Sequence, residues 1–402
     1  MWVFAHALPL HGPRPEFGSL VLGGREEMRA MRRAPGLLLA IVLSLTIDGA
    51  GAAEEIRIGF ATPLTGPFAT TGARHRTAVE LAVKDLNELG GVLAHPVRLV
   101  SADDACGIGE AETAAQQLID AGVLFVVGHL CSHSSLMAAP VYEAAGVPMM
   151  TTTASHPRLT EEGRGNVFRL IGRDDIQGRL AGDLLAEWRP RSRIAILHDG
   201  STYGAGLAAE VRQRLHEHRM AEDLDTAYQP GLEDYSALVG QLQRAAIDVV
   251  YVGGYGPDAA RIVRAAREHG DDLQLVGGHA LGMAEFWDIA GAAGDGTVFT
   301  GRADAGPGEG RVPRELRARG LGWRPTSLAT YAAVEVWAQA AERAGTSDPV
   351  AVTEALHRGR FETLLGRVTF DGKGDLEGAA WRWQVWRNGD YGPLASAVAT
   401  RR

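Results

Sequence analysis

Lysine is almost missing from this chain: Lys84 and Lys373 are the only two among 40 basic residues, the rest being arginine. That skew is a codon-usage signature and carries no functional argument. Cysteine is as scarce, with two in 402 residues, and the meaning of the pair depends on the redox compartment. Basic residues are outnumbered by 49 acidic ones, for a net charge of −9, and no basic run occurs. Both observations argue against a nucleic-acid binder. No low-complexity tract is present, and 46% hydrophobic with 22% charged residues excludes disordered, collagen-like and polytopic membrane classes. What remains is a globular chain whose length suggests two domains, or three, at roughly 150 residues each.

The first 52 residues read as an upstream leader and signal peptide. Met28-Arg-Ala-Met31-Arg-Arg gives a basic start, Gly36–Leu45 is an apolar run of ten, and small residues follow to Ala52. Charged, apolar and small-residue segments in that order mark an export signal, and the run is shorter than the roughly 20 residues a membrane span needs. The start is expected at Met28 or Met31 and cleavage near Ala52. Removing 52 of 402 residues, five basic and four acidic among them, leaves 350 residues with 35 basic and 45 acidic side chains, net −10.

Export makes a disulfide the default for Cys106 and Cys131; its closed loop of about 25 residues contributes on the order of 3–4 kcal/mol. Two alternatives stand beside it. Cys131 lies between His129 and His133, which suits thiol nucleophilic chemistry or a metal site, although no further ligand cluster accompanies them. A hydrolase reading lacks a G-x-S-x-G elbow.

Strand-like and helix-like runs alternate after the leader. Ile56–Leu64, Val97–Ala102, Val123–Val127 and Pro148–Thr153 read as strands. Helical patterns over Ala73–Leu89, Glu110–Ala121 and Ser134–Ala145 separate them. Such alternation predicts a parallel sheet with helices on both faces. The pattern restarts near Gly172–Gln177, with strands at Arg193–His198, Leu224–Tyr228, Asp248–Gly253 and Leu273–Val276. A Gly/Pro-rich stretch, 303–313, precedes helices at Tyr331–Ala344 and Val350–Leu356, then strands at Arg367–Phe370 and Trp381–Arg387. The expected fold class is α/β, two doubly wound parallel-sheet lobes joined by a multi-strand hinge. The N-terminal lobe is expected to be discontinuous, residues 53–173 with 303–382, and the C-terminal lobe 174–302 with 383–402.

In open parallel sheets ligands bind beyond the carboxyl ends of the strands. Two hydroxyl-rich loops lie there in the first lobe: Cys131-Ser132-His133-Ser134-Ser135, opening a helix, and Thr151-Thr152-Thr153-Ala154-Ser155. Hydroxyls and free amides at a helix start suit an anion, although serine is also an ordinary cap. From the second lobe, Tyr203, Tyr255 and His279 follow strand ends and can form the opposite wall, with a structural role competing for each tyrosine. Gly204-x-Gly206 is a fragment of a dinucleotide fingerprint and a weak signal.

The sequence resembles the branched-chain amino-acid (Leu/Ile/Val) binding proteins, periplasmic receptors of ABC importers with the type I periplasmic-binding-protein fold. The resemblance covers residues 54–402. It is carried by Thr65-Gly-Pro67, Asp103-Asp-Ala-Cys106, Val127-Gly-His-Leu-Cys-Ser132 and Pro157-Arg-Leu-Thr160. His198-Asp199 with Tyr203-Gly204, Tyr251-Val-Gly-Gly-Tyr255 and Asp371-x-x-Gly374-Asp375 complete it. It implies that Cys106 and Cys131 form the family's disulfide. It implies that Ser132, the backbone at Thr153 beside Ala154, and Ser155 hold a ligand carboxylate, with Tyr203 covering the ligand and Tyr255 near its amine. Two positions depart from the family pattern: His279 stands where a carboxylate pairs with the ligand ammonium, and Thr71 where an aromatic wall residue is usual.

A neutral imidazole carries no negative charge, and losing a desolvated charge pair costs roughly 2–5 kcal/mol. The expected ligand therefore keeps its carboxylate but differs at the amine end, is larger, or bears a second acidic group. Alternatively, Glu285 supplies the missing charge. The resemblance implies a non-enzymatic, monomeric periplasmic receptor without cofactor or metal, partnered by a small carboxylate and an inner-membrane permease. A sensing domain of the same fold, used in signalling or regulation, or a receptor for an aromatic acid, dicarboxylate or amide, is the other reading.

Overall fold

The computed structural model describes residues 54–303, 310–319 and 324–394. The expected leader and cleavage site, most of the Gly/Pro-rich stretch, and the tail after Leu394 lie outside the described residues.

The first half alternates as its hydrophobic periodicity predicts. β1 (Ile56–Thr62) leads into α1 (Ala69–Glu88), β2 (Val97–Asp103) into α2 (Ile108–Asp120), and β3 (Val126–Val127) into α3 (Ser132–Ala144). β4 (Met149–Thr151), a single turn α4 (Arg158–Glu161) and β5 (Val167–Arg169) close this run. The strands form one parallel sheet in the order β2-β1-β3-β4-β5. β1 is an interior strand of it, flanked by β2 and β3, and its residues other than Arg57 are buried, as expected of a parallel strand covered on both faces.

The pattern then repeats. α5 (Asp174–Trp188), β6 (Ile194–His198), α6 (Thr202–Glu217), β7 (Leu224–Ala227), α7 (Ser236–Arg244) and β8 (Val249–Gly253) are followed by α8 (Gly256–Glu268), β9 (Gln274–Gly277), α9 (Ala284–Ala290) and β10 (Val298–Arg302). The remainder is α10 (Arg311–Ala318), α11 (Pro325–Ala344), α12 (Pro349–Arg358), the hairpin β11 (Phe361–Thr363) with β12 (Gly366–Val368), β13 (Trp381–Arg387) and β14 (Asp390–Pro393). The second sheet runs β14-β13-β10-β9-β8-β6-β7, parallel except where β13 and β14 join antiparallel.

The chain therefore passes between the sheets three times: after β5, after β10, and between β12 and β13. α11 returns to the first sheet and packs on α1, and its Trp337 ring stacks on Phe125 at 5.8 Å. Separate hydrophobic cores fill each sheet's helical layers.

Strands β5, β10, β11 and β14 and helix α10 carried no clear sequence pattern. β5 and β10 each end in an arginine that is buried, Arg169 and Arg302, which a hydropathy reading takes for surface. Their partners are remote. Arg169 Nε donates to Asp375 at 2.7 Å, and Arg302 Nη1 donates to the Leu170 carbonyl. Asp375 also accepts from Thr160 and from Arg173, each at 3.0 Å. Gly374 precedes it at φ +96°, where an added Cβ would lie 2.1 Å from the Val167 carbonyl oxygen. Only glycine meets both demands. This charge knot fixes the last crossover beside the first.

Candidate functional site

Both sheets contribute to one cavity beyond their strand ends, about 790 Å³ counting its open mouth. Thr71, Ser132, Thr153, Tyr203, Tyr255 and His279 all line it. Ala154 and Ser155 are buried behind this wall. The Ser155 hydroxyl is buried there without a hydrogen-bond partner, and its carbonyl accepts from the Asp174 amide at 3.0 Å. Burial pushes the Asp174 carboxyl up to about 7.

Ser132 owes its place to a buried scaffold. Asp104 accepts from the Cys106 amide at 3.0 Å and pairs with His129 Nδ1 at 2.6 Å, and His129 Nε2 meets the Tyr142 hydroxyl at 3.0 Å. Ala105 and Cys106 sit at φ +44° and +56°, a turn those bonds hold in place. Cys106 and Cys131 are joined by a disulfide with Cα atoms 5.6 Å apart, within the usual range. The histidines first weighed as thiol partners or metal ligands are thus occupied: His129 by Asp104 and Tyr142, His133 by the Cys106 carbonyl. Among the described residues no cluster of three acidic, His or Cys side chains could hold a metal. The bridge anchors Cys131 as the N-cap of α3, so Ser132 begins the helix at the cavity wall. The first amides of a helix have no intrahelical partner and carry the positive end of its dipole, a suitable seat for an anion.

The two sheets' loops already touch across the cavity. Thr71 on α1 donates its amide and hydroxyl to Glu285 on α9, at 2.7 and 2.6 Å. Glu285 is 6% exposed and outside the cavity lining, so it offers no open acceptor there. His279 Nε2 lies 3.1 Å from the Thr153 carbonyl; a carbonyl only accepts, so this nitrogen carries the proton. Nδ1 then accepts from Tyr203 or Gln177, both at 3.3 Å. Burial lowers the imidazole pKa to about 4, leaving it neutral at pH 7. Phe68 packs on Tyr255, ring centres 4.9 Å apart, and Tyr255 on Tyr203 at 5.2 Å. These contacts describe a closed arrangement.

Gly204 and Gly206 do not form a nucleotide loop. A Cβ at Gly204 would lie 2.2 Å from Asp199 Oδ1 and 2.4 Å from the Gly253 carbonyl, so the residue is glycine for close packing of α6 on the strand ends. Missed by sequence reasoning were Arg74 on α1 and Arg324, Thr326 and Ser327 at the start of α11, which also line the cavity. An arginine in an amphipathic helix reads as solvated face, and α11 reaches the cavity only through the long-range fold.

The comparisons agree with this architecture. The periplasmic binding protein family matches residues 55–389. A Leu/Ile/Val-binding protein homolog 1 of Brucella suis is 34% identical over 362 residues, covering 89% of this chain and 97% of that protein. A leucine-, isoleucine-, valine-, threonine-, and alanine-binding protein of Pseudomonas aeruginosa is 35% identical over 363 residues, with the same coverage. Among solved structures, a leucine binding protein of Thermotoga maritima is 26% identical with a TM-score of 0.76, covering 85% of this chain and 98% of its own. With its Cys106–Cys131 bridge, two-sheet fold and shared cleft, this chain belongs to the periplasmic binding protein family.

Proposed function

We infer that the protein is an exported substrate-binding receptor of an ABC importer that closes on an amino acid or related small carboxylate and delivers it to an inner-membrane permease. The observation that carries this is the shared cavity: Ser132 at the start of α3 on one side, Tyr203, Tyr255 and His279 on the other, with the two sides bridged by hydrogen bonds. Relatives named as binders of leucine, isoleucine and valine support the ligand class. No helix among the described residues is long and apolar enough to cross a membrane.

The lobes are residues 53–173 with 303–382 and 174–302 with 383–402, rotating about the three crossovers. Ligand docks first on the Ser132 loop; closure then brings Tyr203, Tyr255 and His279 over it. The leader is removed near Ala52, and the receptor works as a periplasmic monomer without catalysis. A thermal-shift screen of the processed chain against amino acids, aromatic acids, dicarboxylates and amides tests the reading, because a ligand specific to the folded state raises the melting temperature. A stabilising small carboxylate is expected. If none of the panel shifts the transition, the receptor assignment fails.

A further inference from the structure

The cavity wall is strongly unbalanced in charge. Three arginines, Arg74, Arg302 and Arg324, line it, and among the described residues no aspartate or glutamate does. Arg302 and Arg324 are engaged with protein groups; the first donates to Leu170, and the second lies over the Trp386 and Tyr391 rings and near Asp390. Arg74 differs. Its Nε and Nη1 are buried without a hydrogen-bond partner, and Glu285 and Asp288 act on it only through space. Glu285 has both oxygens held by Thr71.

Two buried donors left without partners on a half-buried guanidinium are costly, and its fork of donors matches a carboxylate. Two further features face the same part of the wall. Ser327 has a buried hydroxyl with no partner, and α11, twenty residues long, begins there with Pro325 and Thr326. A helix start of that length adds positive potential. His75, bonded to Thr326 at 3.0 Å, and His279 are both neutral at pH 7, held down to about 3 and about 4 by burial. A ligand ammonium would thus meet cations and uncharged groups, with no carboxylate in the lining among the described residues to balance it.

We propose that the cleft takes a dicarboxylate without an ammonium group, one carboxylate at the start of α3 by Ser132 and the second on Arg74 with Ser327. This rests on the reading of the cleft as a receptor site for a small carboxylate. The second seat selects for a two-headed anion, because a monocarboxylate leaves the buried Nε and Nη1 of Arg74 without an acceptor.

The test is calorimetric titration of the processed chain with linear α,ω-dicarboxylates from succinate to suberate, their monocarboxylate counterparts, leucine and glutamate. A dicarboxylate is expected to bind at least about 30-fold more tightly than its monocarboxylate counterpart. Arg74→Gln is expected to erase that difference and leave monocarboxylate binding nearly unchanged. Arg74→Lys, which keeps the charge, is expected to retain part of it and controls for folding. Leucine or glutamate binding more tightly than every dicarboxylate overturns the proposal while leaving the receptor reading intact. Equal dicarboxylate affinity in Arg74→Gln overturns the Arg74 seat. Binding of none of these probes overturns the dicarboxylate proposal, and the wider thermal-shift panel then decides the receptor reading separately.

Discussion

Thr71→Val changes one atom pair in the cross-cleft latch and leaves every formal charge in place. The Thr71 hydroxyl donates to Glu285 Oε2 at 2.6 Å, while the backbone amide at 2.7 Å to Oε1 survives the substitution. In the closed form Glu285 is 6% exposed, so the oxygen that loses its donor finds little water in exchange. Leaving a buried acceptor of this kind unsatisfied costs about 1–3 kcal/mol. In the open form Glu285 is hydrated and the substitution costs little. The whole loss therefore falls on closure, lowering the closed-to-open ratio about 5- to 150-fold. Where the ligand-free chain is mostly closed, small-angle scattering is expected to show a larger radius of gyration for Thr71→Val. Where it is mostly open, ligand affinity is expected to fall by the same factor, through the smaller population of the binding-competent state. Thr71→Ser keeps the donor and is expected to behave as wild type. If Thr71→Val matches wild type in both scattering and affinity, the Thr71–Glu285 pair does not hold the lobes together.

Removing the disulfide by Cys106→Ala with Cys131→Ala is expected to lower unfolding free energy by about 3–4 kcal/mol in denaturant titration. Ligand affinity should fall with it, because Cys131 caps the helix that carries Ser132. Asp375→Asn leaves the fully buried Arg169 short of its counter-charge and is expected to cost about 3–5 kcal/mol in the same assay. His279 gives a pH prediction. Its folded pKa, about 4, lies below the usual 6.5, so its contribution is complete above about pH 6.5 and lost as pH falls through 4. Asp174, raised to about 7 by burial, acts with the opposite sign, destabilising as pH rises from 3.8 to about 7. The stability difference between wild type and His279→Gln isolates the histidine, and is expected to shrink by about 3 kcal/mol between pH 6.5 and 4.

The alternation of strands and helices was legible because a parallel sheet buries both faces and writes continuous apolar runs such as Val249–Gly253. Strand ends, and with them Ser132, Thr153, Tyr203, Tyr255 and His279, followed from that alternation together with the family resemblance. The crossovers were not legible in the same way. Arg169 and Arg302 look like surface residues until Asp375, 206 positions from Arg169, and the Leu170 carbonyl are brought beside them. The cleft's cationic wall was hidden for the same reason. Arg74 sits one turn after Thr71 on α1, and its surroundings depend on α11 and α9, whose approach no local pattern encodes. Glu285 was foreseen as a source of negative charge near the ligand; its oxygens instead bind Thr71, so the two family-divergent positions, 71 and 279, are each engaged across the cleft. The loop at 151–155 was expected to present Ser155 to a ligand. That residue is instead fully buried outside the cavity lining, and the Thr153 hydroxyl donates to the Leu130 carbonyl at 2.9 Å.

The central claim is that small carboxylates bind in the cleft between the two sheets, seated on the start of α3. Titration calorimetry on the processed wild-type chain and on Ser132→Ala, with the tightest ligand from the screen, tests it most directly. One site per chain is predicted, weakened at least about tenfold by Ser132→Ala with the unfolding transition unchanged. Unaltered affinity in Ser132→Ala, or no carboxylate binding to the wild-type chain at all, contradicts the account.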